Sequence, residues 1–350
     1  MSGEKWGYID AKGNFAISAI YDEVNSFSCG LASVYVGERQ QFINKSGKIQ
    51  STPSFDYATD FYYNYSRIYL NNQYGFMNNK LETTVQPYFY SATCMGDNGL
   101  FAGVMTSSSQ VGYYDAKGTE KLPAIYSEAE IFQDGAAVVE VGEKCGVINS
   151  KGDYLISPTY DGLINLGHGL IGYIVGYKIG AMDLKGNTVI QPAYDDFNYP
   201  VDNQLIPVCM GEKWGYVDFK GNMKISAQYA DATSFFEGYA WVALNEDAPL
   251  SLIDTKGNIV LTLGANDSPC TGFHNGLALI ASYSENGSSY KYIDVKGKVA
   301  YTWSIRYDDY APARTRAALS EDHGRHFNEM TLNFHSRMQD NVQPYSVKSN

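Results

Sequence analysis

The side chains in this chain best suited to chemistry are carboxylates, and they recur. Asp10, Asn44, Asn78, Asp115, Asn149, Asp183, Asp218, Asp254 and Asp294 each open a segment of the general form Asp/Asn-x-Lys-Gly. A carboxylate could serve as a general base or a metal ligand, but one that returns with its turn in every unit is explained by turn geometry. A glycosidase would need two exceptional acids facing one another. The candidate pairs, Asp195-Asp196, Glu128 with Glu130 and Asp308-Asp309, are only neighbours in sequence. His168 and His274 stand alone in Gly-rich turns, as local hydrogen bonders rather than bases. His323, His326, Glu329 and His335 could gather on one side of a helix, yet their spacing fits no zinc pattern. There is no Gly-x-Ser-x-Gly elbow and no phosphate loop. We expect no catalytic residue, no metal and no cofactor, and hence not an enzyme.

The elements that must position these residues follow from the period. Successive turns are 34, 34, 37, 34, 34, 35, 36 and 40 residues apart. Self-similarity at that interval marks a repeat protein whose units bury their apolar faces only against neighbours. Before each turn runs an aromatic strand with a glycine: Trp6-Gly7-Tyr8-Ile9, Tyr74-Gly75-Phe76-Met77, Val111-Gly112-Tyr113-Tyr114, Cys145-Gly146-Val147-Ile148 and Trp214-Gly215-Tyr216-Val217. A glycine there predicts close approach, which we expect from a neighbour's ring. In the turn, Asp or Asn can bond the backbone two residues on, and glycine three places later can take positive φ. Eight of the nine units have that glycine; Leu81 replaces it in the third.

The strand after the turn ends in pairs such as Tyr21-Asp22, Phe55-Asp56, Tyr160-Asp161 and Tyr194-Asp195, and Pro53, Pro87, Pro158 and Pro192 mark it as an outer edge. A small-residue strand follows, as in Phe27-x-x-Gly30-Leu31-Ala32, Phe132-x-x-Gly135-Ala136-Ala137 and Phe273-x-x-Gly276-Leu277-Ala278. The reading is an all-β chain of about nine antiparallel repeats of three or four strands, each ~35 residues long. Residues 1–318 form one repeat array and 319–350 a C-terminal amphipathic helix or tail. We expect Ala311 to Thr315 to fall beside Trp6 to Asp10, closing a β-propeller-like array and removing its exposed edges. The alternative is an open solenoid or superhelix.

Composition sets the partner classes. The net charge of −12 comes from 38 acidic and 26 basic residues without a dense basic stripe, so nucleic acid and anionic lipid are excluded as expected partners. Cys29, Cys94, Cys145, Cys209 and Cys270 are odd in number and show no CxxC spacing, which predicts free thiols. No apolar run of membrane length and no signal sequence is seen, and the expected location is cytoplasmic.

These marks resemble the WG-repeat family of bacterial β-repeat proteins. Lys5-Trp6-Gly7-Tyr8-Ile9-Asp10 and Lys213-Trp214-Gly215-Tyr216-Val217-Asp218 carry the resemblance most literally, and it extends over about residues 1 to 310. The pair is replaced at Gln41-Phe42, Leu250-Ser251 and Tyr290-Lys291. The resemblance implies an array used for binding or scaffolding, with no catalytic residues to transfer.

In such an array, sites show as departures from the consensus. The densest departure holds Tyr57, Tyr62, Tyr63 and Tyr65, with Tyr62-Tyr63-Asn64-Tyr65 in place of Gly-Leu-Ala. Tyrosine is amphipathic and loses little rotamer entropy, which suits contact with protein or sugar. Trp241 stands where other units place smaller residues. In the tail, Phe327, Met330 and Phe334 recur at helical spacing and could dock on a partner. The expected function is non-enzymatic protein binding or scaffolding. Carbohydrate or cell-wall binding is the alternative, and a propeller-type hydrolase or lyase the second.

Overall fold

The computed structural model describes residues 5–50, 54–105, 109–200, 205–285, 287–306 and 315–319. Among them every regular element is a β-strand. A complete repeat has four strands: Glu128–Ala129, Ala136–Val141, Lys144–Asn149 and Tyr154–Tyr160 lie side by side in that order, each antiparallel to the next. We call them the inner, small-residue, Trp-Gly and outer strands. Nine such units are arranged in eight sheets, because the third and fourth share one strand, Thr83–Ala92. In the first, second and sixth units the outer strand is followed by a carboxylate that accepts a backbone N–H from the next hairpin, Asp22 from Gly37 at 2.8 Å, Asp56 from Asn71 at 3.1 Å and Asp195 from Gly211 at 2.8 Å. Tyr90 takes that place in the third unit, and the strand runs on.

The turn grammar holds in all nine units. Asp10 Oδ1 accepts the N–H groups of Lys12 and Asn14, both at 2.9 Å. Asn44, Asn78, Asp115, Asn149, Asp183, Asp218, Asp254 and Asp294 repeat the pair of bonds at 2.8 to 3.1 Å. These bonds hold the carboxyls of Asp10 and Asp183 below their ordinary range, the largest contribution coming from the Asn14 N–H in the first and the Asn187 side chain in the second. The residue three places on has positive φ throughout, from 77° to 86° at the glycines and 63° at Leu81.

The glycine of the Trp-Gly strand has a different reason from the one expected. A Cβ on Gly180 would lie 2.6 Å from the Ile190 carbonyl oxygen and 2.8 Å from the Pro192 nitrogen. Gly7, Gly75, Gly146 and Gly215 meet backbone atoms of their own outer strands in the same way. What approaches is main chain, not a neighbour's ring. The pairing explains it, since Ile179 faces Tyr194 while Ala181 faces Ile190, so extra outer-strand residues buckle over the glycine.

Neighbouring sheets bury aromatic rings between them. Tyr113 and Leu122 pack on Phe132, Ala137 and Ile148 of the next unit, and the Tyr113 hydroxyl donates to the Glu130 carbonyl at 2.8 Å. Tyr8 and Tyr216 make the same bond to Asn25 and Thr233. Most turns also lean on the preceding outer strand: Gly47 on Ile17, Gly152 on Leu122, Gly257 on Ile225, Gly297 on Leu261, whereas Gly186 faces open space. Gly13 of the first unit stands against Ala300 and Tyr301 of the last, and Ile9 clusters with Leu277 and Tyr292. At the C-terminal end Thr315–Leu319 pairs with Lys5–Ile9 in parallel, giving a first sheet of three strands. Leu319 ends that strand instead of beginning the expected helix, and the rest of the helix lies outside the described residues.

Gly180→Ala is expected to lower stability by about 3 kcal/mol, since the outer-strand backbone must move. Gly176→Ala in the same unit has φ +63° but open space at Cβ, so its cost should be about 1 kcal/mol. Urea unfolding midpoints of the two variants check the difference.

Candidate functional site

The consensus residues close turns or fill the core, so a site has to come from what varies. The variable residues collect at the turn between inner and small-residue strands. Cys29, Tyr63, Asp134, His168, Glu237 and Asn275 occupy this turn in their units, with φ between 47° and 54°. A second positive-φ residue follows each: Gly30, Asn64, Gly135, Gly169, Gly238 or Gly276. Two such residues in succession make the tight turn suited to the right-handed twist of a hairpin. Bridges close it, as at Gln133 with Ala136 and Phe236 with Tyr239.

Acids at this position tie one turn to the next. The Asp97 carboxylate accepts the Asp134 N–H, and Asp134 Oδ2 accepts the His168 N–H at 2.6 Å. Glu237 takes the N–H groups of Asn275 and Gly276 at 2.6 and 2.8 Å. The result is a run of turns in the third to sixth units carrying Tyr63, Asp97, Asp134 and His168, with Glu237 on the turn of the eighth. Tyr63 is 44% exposed, and its hydroxyl pKa is raised by burial first and then by Asp97 and Asp134.

Behind these turns lies a polar node. Gln133 and Tyr199, two units apart, exchange side-chain hydrogen bonds, the tyrosine donating at 2.8 Å. A Cβ on Gly167 would stand 2.9 Å from Gln133 Nε2, 3.4 Å from Asp134 Oδ2 and 3.5 Å from Tyr199 Oη. With φ at +74°, only glycine fits there without strain. Burial pushes the Tyr199 hydroxyl up to about 12, offset in part by the Gln133 bond.

Glu130 begins the same segment and breaks its pattern. The equivalent residues Asn25, Thr59, Thr93, Asn198, Thr233 and Thr271 are amides or hydroxyls bonded to nearby groups, as Thr93 to the Ala102 N–H at 3.0 Å and Asn198 to the Ala232 carbonyl at 3.1 Å, and Ile164 in the sixth unit is apolar. Glu130 is the acid among them. It keeps some accessible surface, but its Oε2 is shut from solvent and has no hydrogen-bond partner among the described residues. Desolvation pushes its carboxyl up to about 7.

The expected tyrosine cluster does not form one patch. Tyr57 is exposed beside Tyr69, whereas Tyr63 projects from the turn at the other end of Tyr65–Leu70, a separation of about 13 Å along the strand. Tyr62 and Tyr65 are half-buried and face each other across the turn. Trp241 is corrected to a core residue: it is 2% exposed, stacks on Phe273 and donates its indole N–H to the Thr271 carbonyl at 3.3 Å. Phe327, Met330 and Phe334 lie outside the described residues. Of the acid pairs, Asp195 pairs with Lys178, Asp196 accepts its neighbour's N–H, and Asp308-Asp309 lies outside the described residues. Among the described residues no three His, Cys, Asp or Glu side chains are grouped to hold a metal. Asp97, Gln133, Asp134, Tyr199 and Glu237 were not anticipated. The available signal was the variable x-x of Phe-x-x-Gly at fixed offset.

The family model for the WG containing repeat matches residues 6–39, 42–74, 112–145, 146–178, 179–214 and 214–246. No curated protein matches the chain. Among solved structures, the crystal structure of the eukaryotic initiation factor is 14% identical with a TM-score of 0.62, covering 87% of this chain and 96% of that one. That likeness is one of fold alone. Hsv2 of Kluyveromyces lactis is 10% identical with a TM-score of 0.42, covering 69% of this chain and 94% of that one, too distant to carry an argument.

Glu130 supplies a pH test of the node. Folded, it keeps its proton up to about pH 7; unfolded, it releases it near 4.5. Between those values the folded chain binds more protons, so stability present below about 4.5 is lost as pH rises through about 7. Glu130→Gln is expected to flatten this slope and raise stability at pH 8 by the order of 2 kcal/mol. Thermal unfolding of both proteins between pH 4 and 8 checks it, with Tyr113, Tyr199, Asp134 and Cys145 as the neighbouring titratable groups.

Proposed function

This chain belongs to the WG-containing-repeat family, and from that premise we propose that it is a non-enzymatic protein-binding module whose repeats close into a propeller-like ring. It meets its partner on the face of inner turns. The observation that carries this reading is the division of labour within the repeat: consensus residues serve turns and core, while Tyr63, Asp97, Asp134 and His168 vary on the turns of the third to sixth units and Glu237 on that of the eighth. An exposed aromatic beside carboxylates suits a partner segment bearing Lys or Arg, and the net charge of −12 would speed its approach. Ring closure is supported by Gly13, which contacts the last unit as other turns contact their predecessors.

Enzyme chemistry has less support, because the recurring carboxylates are taken up by the backbone N–H groups of their own turns. Sugar stacking asks for rings at equivalent positions of successive units, and the counterparts of Tyr63 are Cys29, Asp134 and His168.

A photo-crosslinking residue at position 63 or 168 is expected to capture the same host protein, while one at position 177, 96% exposed on a hairpin tip, captures none. With that protein purified, Tyr63→Ala should weaken binding at least ~10-fold in calorimetry, as for a central aromatic contact. Equal capture from position 177, or unchanged affinity, would overturn the reading, and retention of the chain on a glycan array would turn it toward carbohydrate.

A further inference from the structure

In eight of the nine repeats the Trp-Gly strand is covered by an antiparallel small-residue strand, as Leu170–Val175 covers Lys178–Asp183 and Ile206–Met210 covers Lys213–Val217. The first repeat differs. Lys5–Ile9 is paired in parallel with Thr315–Leu319, in the register Lys5 with Thr315 through Ile9 with Leu319. Parallel bonds are slanted and slightly weaker per residue than antiparallel ones. The other eight repeats also define what fits at this edge. The position opposite the Trp-Gly glycine or its substitute holds a β-branched residue in Val34, Ile68, Val139, Val208 and Val242. Opposite Gly7 stands Ala317. Opposite the counterparts of Ile9 stand small residues in five repeats, Ala32, Ser66, Ala137, Ala240 and Ala278, and Phe101, Ile171 and Ile206 in the other three.

We infer that the edge of Lys5–Ile9 is a strand-acceptor site, held in this chain by Thr315–Leu319 and fitted to an antiparallel extended segment of a protein partner. That segment carries a β-branched residue over Gly7 and a small residue over Ile9. Main-chain bonds along the edge would supply affinity, and the alternation of bulky and small residues would supply selectivity. Tyr8 and Ile9 are already buried in the flanking clusters, so the acceptor strand is preorganised. The site is separate from the inner-turn face and stands or falls independently of it.

The probe is a fluorescein-labelled peptide of residues 135–142, GAAVVEVG, which copies a small-residue strand of this chain. Added to the full chain, it is expected to bind saturably and to slow hydrogen exchange of the amides of residues 5–9. Ala317→Pro, which removes a backbone donor from the resident strand, should tighten binding about tenfold by releasing the competitor. The same peptide with Val139→Pro should not bind. If Ala317→Pro fails to fold, competition on the unaltered chain decides: an unlabelled peptide of residues 313–321 should displace the probe. Absence of saturable binding, binding without protection of residues 5–9, equal affinity for the two folded proteins, or failure of that competition would each overturn the inference.

Discussion

Everything in this array depends on one side-chain oxygen accepting two backbone N–H groups. At each of nine turns, Asp or Asn uses Oδ1 to bind the amides two and four residues ahead. This reverses the chain within a fixed length and places the following residue in left-handed space. Where the Trp-Gly strand carries its glycine, the outer strand returns over it in the same register with the same crowding, whereas Ser251 and Lys291 in the eighth and ninth units pair without that bulge. In most units the turn then rests on the outer strand of the preceding unit. A local hydrogen-bond pattern thereby sets the geometry between sheets. The acid is consumed by this task, and its lowered pKa in Asp10 and Asp183 reflects bonds that stabilise the anion, not preparation for proton transfer.

Most of the architecture could be read from residue spacing, since turn chemistry and strand periodicity are local. The nine turns, the four-strand unit and the buried Ala32, Ala137 and Ala278 all follow from short-range pattern. What pattern cannot give is the identity of the atoms that approach a residue. Gly7 and Gly180 announced a tight approach, but only register shows that it is a backbone bulge. The fusion of the third and fourth units was likewise hidden, because the acid is also missing at Ser127 and Ala230, where the sheets stay separate, so Tyr90 gives no signal of its own.

The candidate site was less legible for a different reason. Aromatic density in sequence suggested a patch, yet tyrosines along a strand and its turn are distributed between core, edge and tip. Tyr65 packs inward, Tyr57 faces outward at one end and Tyr63 at the other. Trp241 looked exceptional for its size and proved to be exceptional packing, filling space beside Phe273. Glu130 and Tyr199 gave no spacing signal, because their significance arises from units that meet in space but lie far apart in sequence.

The strand Thr83–Ala92 makes this array mechanically unequal around its course. Other junctions between units are loops joining separate sheets, able to flex or open one at a time. Here seven strands share an unbroken hydrogen-bonded ladder, with Phe89 and Phe101 packed beside it. Opening either unit must disturb the other, so this sector would behave as a single cooperative block within a chain otherwise divided into smaller ones. Strain applied to the array, by a partner or by the ends of the chain, would be relieved elsewhere.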